Sequence, residues 1–379
     1  MRLRHLRFAA VLLASAVLVT VVVGCAQEEV ATAPTTAPTT APATPSATPT
    51  APTTEPAASP SAAGLRTAMV TDIGGLGDRG FNHLSYTGLQ RASEELGAEI
   101  AVRESKKPAD YARNIARLAA AGYSPVFAVG YLMTDAVTRL AARFTDVTFA
   151  GVDIVFDPAA DNVIGLSFKE QEAGYLAGVV AGKLTTRPDV DPRINSAKVV
   201  GFVGGMKIPP VQSFEAGFIA GVRSVAPDVR VKSVYTGSFT DVRKGRVAAR
   251  SLIKGGADIV FAAAGSSGNG AAQVCRRDNA LFIGVDADQY ETLPGIGDTI
   301  ITSAVKRVDN AVFLTVADAA AGSLKGGVNR VFGLAEDGVG LAPYHEWEAK
   351  LPQDIKDAVA KARDDVVSGA VTVPRAKAE

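Results

Sequence analysis

From Leu65 onward the chain alternates short apolar runs with longer amphipathic stretches, and it does so in two successive series. The first series of strand-like runs is Arg66–Thr71, Glu99–Arg103, Pro125–Val129, Thr148–Val152 and Val163–Phe168. The second is Lys198–Val203, Arg230–Tyr235, Ala257–Ala262, Leu281–Asp286 and Thr299–Ser303. Helix-like stretches, among them Asn82–Leu96, Tyr111–Ala121 and Val242–Lys254, separate nearly all of them. Parallel strands need a crossover long enough to hold a helix, and such sheets are covered on both faces. The alternation therefore predicts an α/β fold of two doubly wound parallel-sheet lobes. Ligands of open α/β sheets sit beyond the C-terminal ends of the strands. Two lobes whose strand ends face each other make one central cleft with a hinge. A length of 379 residues is enough for both.

Charge and cysteine usage exclude several classes of function. The chain has 39 Lys and Arg against 39 Asp and Glu, but its first 25 residues hold Arg2, Arg4 and Arg7 and no acid. The remainder is mildly acidic, about −3, which argues against nucleic-acid binding, where a basic surface supplies most of the affinity. Two cysteines, Cys25 and Cys275, cannot build a disulfide framework. His5, His83 and His345 are too far apart in sequence to suggest a histidine metal site, so no metal and no cofactor are expected.

Residues 1–25 have the layout of a secretory signal: a basic start, an apolar stretch from Phe8 to Val23, then Gly24-Cys25. The apolar stretch is short for a membrane span of ~20 residues. Val22-Val23-Gly24-Cys25 resembles a bacterial lipobox, which implies a diacylated Cys25 and a protein held at the extracytoplasmic face of the cell membrane. Residues 26–63 read as a disordered linker, since Ala31 to Pro60 is rich in Thr, Ala and Pro, carries one charge (Glu55) and cannot form a core. At up to ~3.1 Å per residue such a spacer holds a globular domain tens of ångströms from a membrane.

The most informative segment is Thr71-Asp72-Ile73-Gly74-Gly75-Leu76-Gly77-Asp78-Arg79-Gly80-Phe81-Asn82. It ends the first strand, turns through glycines and starts a helix at about Asn82, which puts Asp72, Phe81 and Asn82 at the cleft mouth. A carboxylate, an aromatic face and an amide are what a purine needs, namely hydrogen bonds at its edge and a π-surface against its plane. Gly75, Gly77 and Gly80 also spell G-x-G-x-x-G, with Glu99 about 20 residues on, but Asp78 would place a carboxylate where a pyrophosphate should sit.

The loop ending in Gly80-Phe81-Asn82 resembles the opening signature of the basic membrane lipoproteins, the purine nucleoside receptors of ABC transporters. Further similar segments follow in order: Gly130-Tyr131-Leu132-Met133-Thr134-Asp135-Ala136, Glu172-Ala173-Gly174-Tyr175-Leu176-Ala177-Gly178, and Val285-Asp286-Ala287-Asp288-Gln289 before Thr302-Ser303-Ala304-Val305-Lys306. The most specific runs from Gly204 through Pro209-Pro210 and Phe214-Glu215-Ala216-Gly217-Phe218. The resemblance covers about Leu65 to Leu334 and implies a type I periplasmic-binding-protein-like fold that binds and does not catalyse. It implies that Phe81 and Phe214 sandwich the base, that Asp72, Asn82 and Asp135 read its edge, and that Asp286 and Lys306 hold the ribose hydroxyls beside Gly265. The chain departs from the family at Ala264-Gly265-Ser266-Ser267-Gly268, where a Gly-Gly-Thr-Gly run is commoner, and at Gly80, where serine is commoner. Implied partners are a purine nucleoside, a permease with its ATPase, and the membrane through the lipid anchor, with the receptor itself a monomer.

Other roles are open to the same residues. Asp72 could cap the helix that follows it and Asp286 the next turn, Asp135 fits a helix N-terminus, Phe214 fits an apolar helix face, and Lys306 falls where a helix is expected to begin. A sugar or autoinducer receptor of the same architecture would also use stacked aromatics and carboxylates. An exported nucleoside hydrolase would need clustered aspartates for calcium, and the loop offers only Asp72 and Asp78. The domains expected are 64–167 for the first lobe, completed by about 304–345, 168–303 for the second, and 346–379 for a C-terminal helix at Asp354–Asp364 with a frayed tail from Ala370. Cys275 is expected to be a buried small hydrophobe, and Arg276-Arg277-Asp278 a solvated helix end.

Overall fold

Residues 64–375 are described in a computed structural model of the chain. The signal stretch, Cys25, the linker to residue 63 and residues 376–379 lie outside the described residues.

The first sheet is built from β1 (Arg66–Val70), β2 (Glu99–Arg103), β3 (Val126–Val129), β4 (Phe149–Val152) and β5 (Val163–Phe168). Helices α1 (Phe81–Leu96), α2 (Tyr111–Ala120) and α3 (Thr134–Ala141) lie between the first four. The second sheet is built from β6 (Val199–Gly204), β7 (Arg230–Tyr235), β8 (Ala257–Ala263), β9 (Leu281–Asp286) and β10 (Ile300–Lys306). It is preceded by α4 (Glu170–Leu184) and interleaved with α5 (Pro209–Val225), α6 (Val242–Lys254), α7 (Ser266–Arg277) and the short α8 (Gln289–Thr292). The remainder is α9 (Val308–Ala320), β11 (Val328–Phe332), β12 (Val339–Leu341) and α10 (Gln353–Val367).

Spatial order is β11-β5-β4-β3-β1-β2 in one sheet and β12-β10-β9-β8-β6-β7 in the other. All pairings are parallel except that of β12 with β10. Central strands such as β3 (VFAV) and β8 (ADIVFAA) are buried at every residue, as a sheet sandwiched between helices demands. The edge strands β2 and β7 have no buried residue and are partly exposed.

The segment 304–345 divides between the sheets. After β10 the chain crosses to the first lobe, where α9 packs on α1 and β11 extends the sheet beside β5. It then returns, so that β12 pairs with β10 and α10 packs on α4. Three crossings join the lobes: at Lys169, at Arg307 and between Phe332 and Val339. The tail does not fray over its described part: Val373 is buried and Val371 packs on the same core. Cys275 is a buried free thiol, as its apolar surroundings require.

Helices α4 and α5 approach closely because glycines face carbonyls across their contact. A Cβ at Gly217 would lie 2.0 Å from the Gln171 carbonyl oxygen, and one at Gly221 2.0 Å from that of Tyr175. From the other side, one at Gly174 would lie 2.4 Å from the carbonyl oxygen of Phe214. This contact sets the position of Phe214 relative to the first crossing.

Candidate functional site

The loop after β1 is organised by two carboxylates. Asp78 accepts the N–H groups of Gly80 (3.0 Å), Asn82 (2.8 Å) and His83 (3.2 Å), the otherwise unpaired amides at the start of α1. Asp78, and not Asp72, is therefore the cap of this helix. Asp72 Oδ1 accepts the Gly74 N–H at 2.7 Å and Asn82 Nδ2 at 2.8 Å. Asn82 Oδ1 accepts the Asp72 N–H at 3.0 Å, and its Nδ2 also donates to Asp78 Oδ2 at 2.9 Å. Both amide hydrogens of Asn82 are thus engaged inside the loop. The residue lines the cleft but braces it, and is not free to donate to the edge of a solute as the sequence suggested. Asp72 Oδ2 makes no hydrogen bond among the described residues.

Seven of the eight expected residues meet at one cavity, about 660 Å³ with the open solvent at its mouth included: Asp72, Phe81 and Asn82 from the first lobe; Phe214, Gly265, Asp286 and Lys306 from the second. Phe214 is both core and cavity wall: it is 3 % exposed and meets Phe261 edge-on with centroids 5.9 Å apart. Gly265 has φ +54°, and a Cβ there would stand 2.9 Å from the Phe239 carbonyl oxygen, so the turn into α7 requires glycine.

The eighth, Asp135, does not join them. Helix α3 packs through Ala136, Val137, Leu140 and Ala141, which turns Asp135 outward to solvent. The cavity takes Tyr131 and Leu132 from the turn before that helix instead. Lys306 also differs from expectation: it ends β10, and α9 begins two residues later at Val308.

At the centre lies the Lys306 ammonium, fully buried. It donates to Asp153 Oδ2 at 2.7 Å and stands 3.8 Å from Glu170 and 3.9 Å from Asp286. Its Nζ is 4.7 Å from the Phe81 ring centroid and 5.7 Å from that of Phe214. With Phe168 at 5.5 Å, three rings drawn from both lobes thus stand around one cation. Burial alone would lower the lysine pKa, but Asp153, Asp286 and Glu170 outweigh it and raise it above the ordinary value. Burial pushes Asp286 up to about 6 against the pull of Lys306, and Asp72 up to about 6 against hydrogen bonds from Asn82 and Gly74. Burial likewise pushes Glu170 up to about 8, with Lys306 opposing.

Asp153 and Glu170 were not singled out from the sequence. Asp153 follows β4 with φ +63°, and Asp286 ends β9 with φ +62°; each closes the fourth strand of its series. The signal was present as an internal repeat, Phe149-Ala150-Gly151-Val152-Asp153 against Phe282-Ile283-Gly284-Val285-Asp286. Asp153 lines the cavity, and its Oδ1 is buried without a hydrogen-bond partner among the described residues.

The family profile described as "ABC transporter substrate-binding protein PnrA-like" matches residues 65–376. A protein of Listeria monocytogenes named "CD4+ T-cell-stimulating antigen" is 34% identical over 325 residues, covering 81% of this chain and 87% of its own. The "ABC transporter nucleoside-binding protein BmpA" of Lactococcus lactis is 32% identical, covering 82% and 89%. Among solved structures, an ABC transporter solute-binding protein from Aeropyrum pernix superposes with a TM-score of 0.74 at 26% identity, covering 82% of this chain and 94% of its own.

Proposed function

The chain belongs to the Bmp family of PnrA-like substrate-binding proteins of ABC transporters, and from that premise we propose that its solute is a purine nucleoside. Members of this family are receptors that work with a permease and its ATPase, and they break no bond in the solute.

The observation that carries the reading is the placement of Phe81 and Phe214, one from each lobe, about one buried ammonium with Asp286 beside it. Two ring faces suit a flat heterocycle, with stacking worth ~1–3 kcal/mol per base. A vicinal diol offers two donors to a carboxylate, and a neighbouring ammonium keeps that carboxylate ionised while donating to a sugar oxygen. Asp286 and Lys306 supply that pair, with Gly265 on the adjoining turn. Asp153 Oδ1 supplies a further buried acceptor, and Asp72 Oδ2 an acceptor for N–H groups on the base edge. The name of the Lactococcus lactis relative, a nucleoside-binding protein, agrees with this chemistry.

Solute contacts made by both lobes favour the closed form, because only that form completes them. The closed receptor then delivers its nucleoside to the permease, held at the extracytoplasmic face of the membrane by acyl chains on Cys25. Among the described residues no helix is long and apolar enough to cross a membrane. Calorimetry tests the assignment: Phe81→Ala and Asp286→Ala should each abolish guanosine and inosine binding while circular dichroism stays unchanged. Wild-type affinity in either variant refutes it.

A further inference from the structure

One block of the second lobe carries a charge that the binding cleft does not use. Residues 230–278 hold nine Lys and Arg against three Asp, in a chain whose overall charge is zero. One of the three, Asp258, is buried; Asp241 caps α6 through the N–H groups of Arg243 and Lys244; Asp278 pairs with Arg277 and Arg250. The basic residues come from adjoining elements: Arg230 and Lys232 on the edge strand β7, five on α6, and Arg276 and Arg277 at the end of α7, which packs against α6. Arg243, Lys244, Lys254 and Arg276 are exposed and make no ion pair among the described residues.

Helix α6 has a defined outer face. It buries Gly245, Ala248, Ala249 and Leu252, which turns Arg243, Lys244, Arg246 and Lys254 to solvent with Val247 among them. Val247 is 65% exposed, the most of any large hydrophobic residue described. Basic side chains around a bare aliphatic residue, on a convex helix, match the electrostatics and shallow apolar depth of an anionic membrane surface. A nucleic-acid surface would add stacking aromatics, and this face has none.

We propose that the face formed by α6, the end of α7 and the β7 edge docks on a bilayer bearing anionic phospholipid headgroups. Each Lys or Arg near such a surface adds attraction, and the field extends only about a Debye length. The contact therefore sets orientation, not anchoring, and it operates independently of which solute fills the cleft.

The test places a polarity-sensitive dye at Val247→Cys in the full chain tethered to vesicles, with the chain lacking that substitution as the background. Cys275, being buried, stays unlabelled. On phosphatidylcholine vesicles containing about 30% phosphatidylglycerol, the dye should shift to the blue and lose at least threefold in quenching by neutral acrylamide. It should do neither on pure phosphatidylcholine, at about 0.5 M salt, or when Arg243→Glu, Lys244→Glu and Arg246→Glu are combined. Unchanged melting temperature and nucleoside affinity establish that the triple variant is folded. A dye that stays exposed on anionic vesicles overturns the proposal, as does equal burial on both lipids. Return of the dye to full exposure on adding a single-stranded oligonucleotide or polyglutamate at lower charge concentration than the lipid overturns it too.

Discussion

Lys306 balances three buried carboxylates with one charge, so the protonation of its neighbours decides what the cluster costs. Glu170 is the least able to ionise: it is 1% exposed, and Oε2 has no partner among the described residues. A folded-state pKa of about 8 lies above the ordinary value of 4.5, so the folded protein holds this proton more tightly than the unfolded chain does. Stability is then lost as pH rises from about 4.5 towards 8 and levels off above. Glu170→Gln removes that penalty and should raise stability at pH 8 by on the order of 1–3 kcal/mol, with no gain near pH 4.5. Thermal melts across that window check it; a lower melting temperature at pH 8 would mean that Glu170 is ionised in the folded protein. Lys306 has the same sign in a higher pH window. Its raised pKa contributes stability that is present below the ordinary lysine value and is lost only as pH climbs through the raised one. Lys306→Met leaves the carboxylates unpaired and should cost about 3–5 kcal/mol at pH 7. Melts at pH 5 should recover part of this, because Asp286 is then protonated.

At the scale of elements, the α4–α5 contact connects the hinge to the aromatic wall. Gly221→Ala forces a methyl group to within 2.0 Å of the Tyr175 carbonyl oxygen, and backbone must move to admit it. We expect a loss of stability of about 2–4 kcal/mol, with weaker solute binding because Phe214 moves with α5. Denaturant unfolding and calorimetry on the same sample separate the two effects; a variant as stable as wild type would show that the helices can part. The strands were readable in the sequence because central parallel strands are continuous apolar runs: Val163–Phe168 and Leu281–Asp286 lie where the pattern places them. β11 (VNRVF) and β12 (VGL) were not, since one is mostly exposed and the other spans three residues. A residue that ends a strand, such as Asp286, could be placed at the cavity from the sequence. Asp135 could not be placed this way, because the rotation of a short helix decides which side faces the cleft and here turns it to solvent. Asp153 was within reach through the repeat it shares with Asp286, but only a comparison between the two series exposes it.

For the whole molecule, hydrogen bonds join the lobes at the rim of the cleft as well as at its centre. Asn269 Nδ2 on α7 donates to the Asp78 carbonyl oxygen across the lobes at 3.3 Å, and Arg79 Nη1 donates to the Thr292 carbonyl oxygen at the same distance. Gln289 holds Asn269 in place through a 3.1 Å hydrogen bond to its Oδ1. Removing the rim contact with Asn269→Ala should speed solute release severalfold, in line with a lost hydrogen bond of ~1 kcal/mol, while the melting temperature stays put. Stopped-flow displacement measures this, and an unaltered release rate would place the barrier to opening elsewhere. The most direct test of the whole account is calorimetric titration of the full chain with guanosine, guanine and D-ribose in turn. Saturable one-to-one binding is expected for guanosine, much weaker binding for the free base, and none for ribose. Silence with guanosine, or tight binding of ribose alone, would contradict a cleft built to grip a flat base and its sugar together.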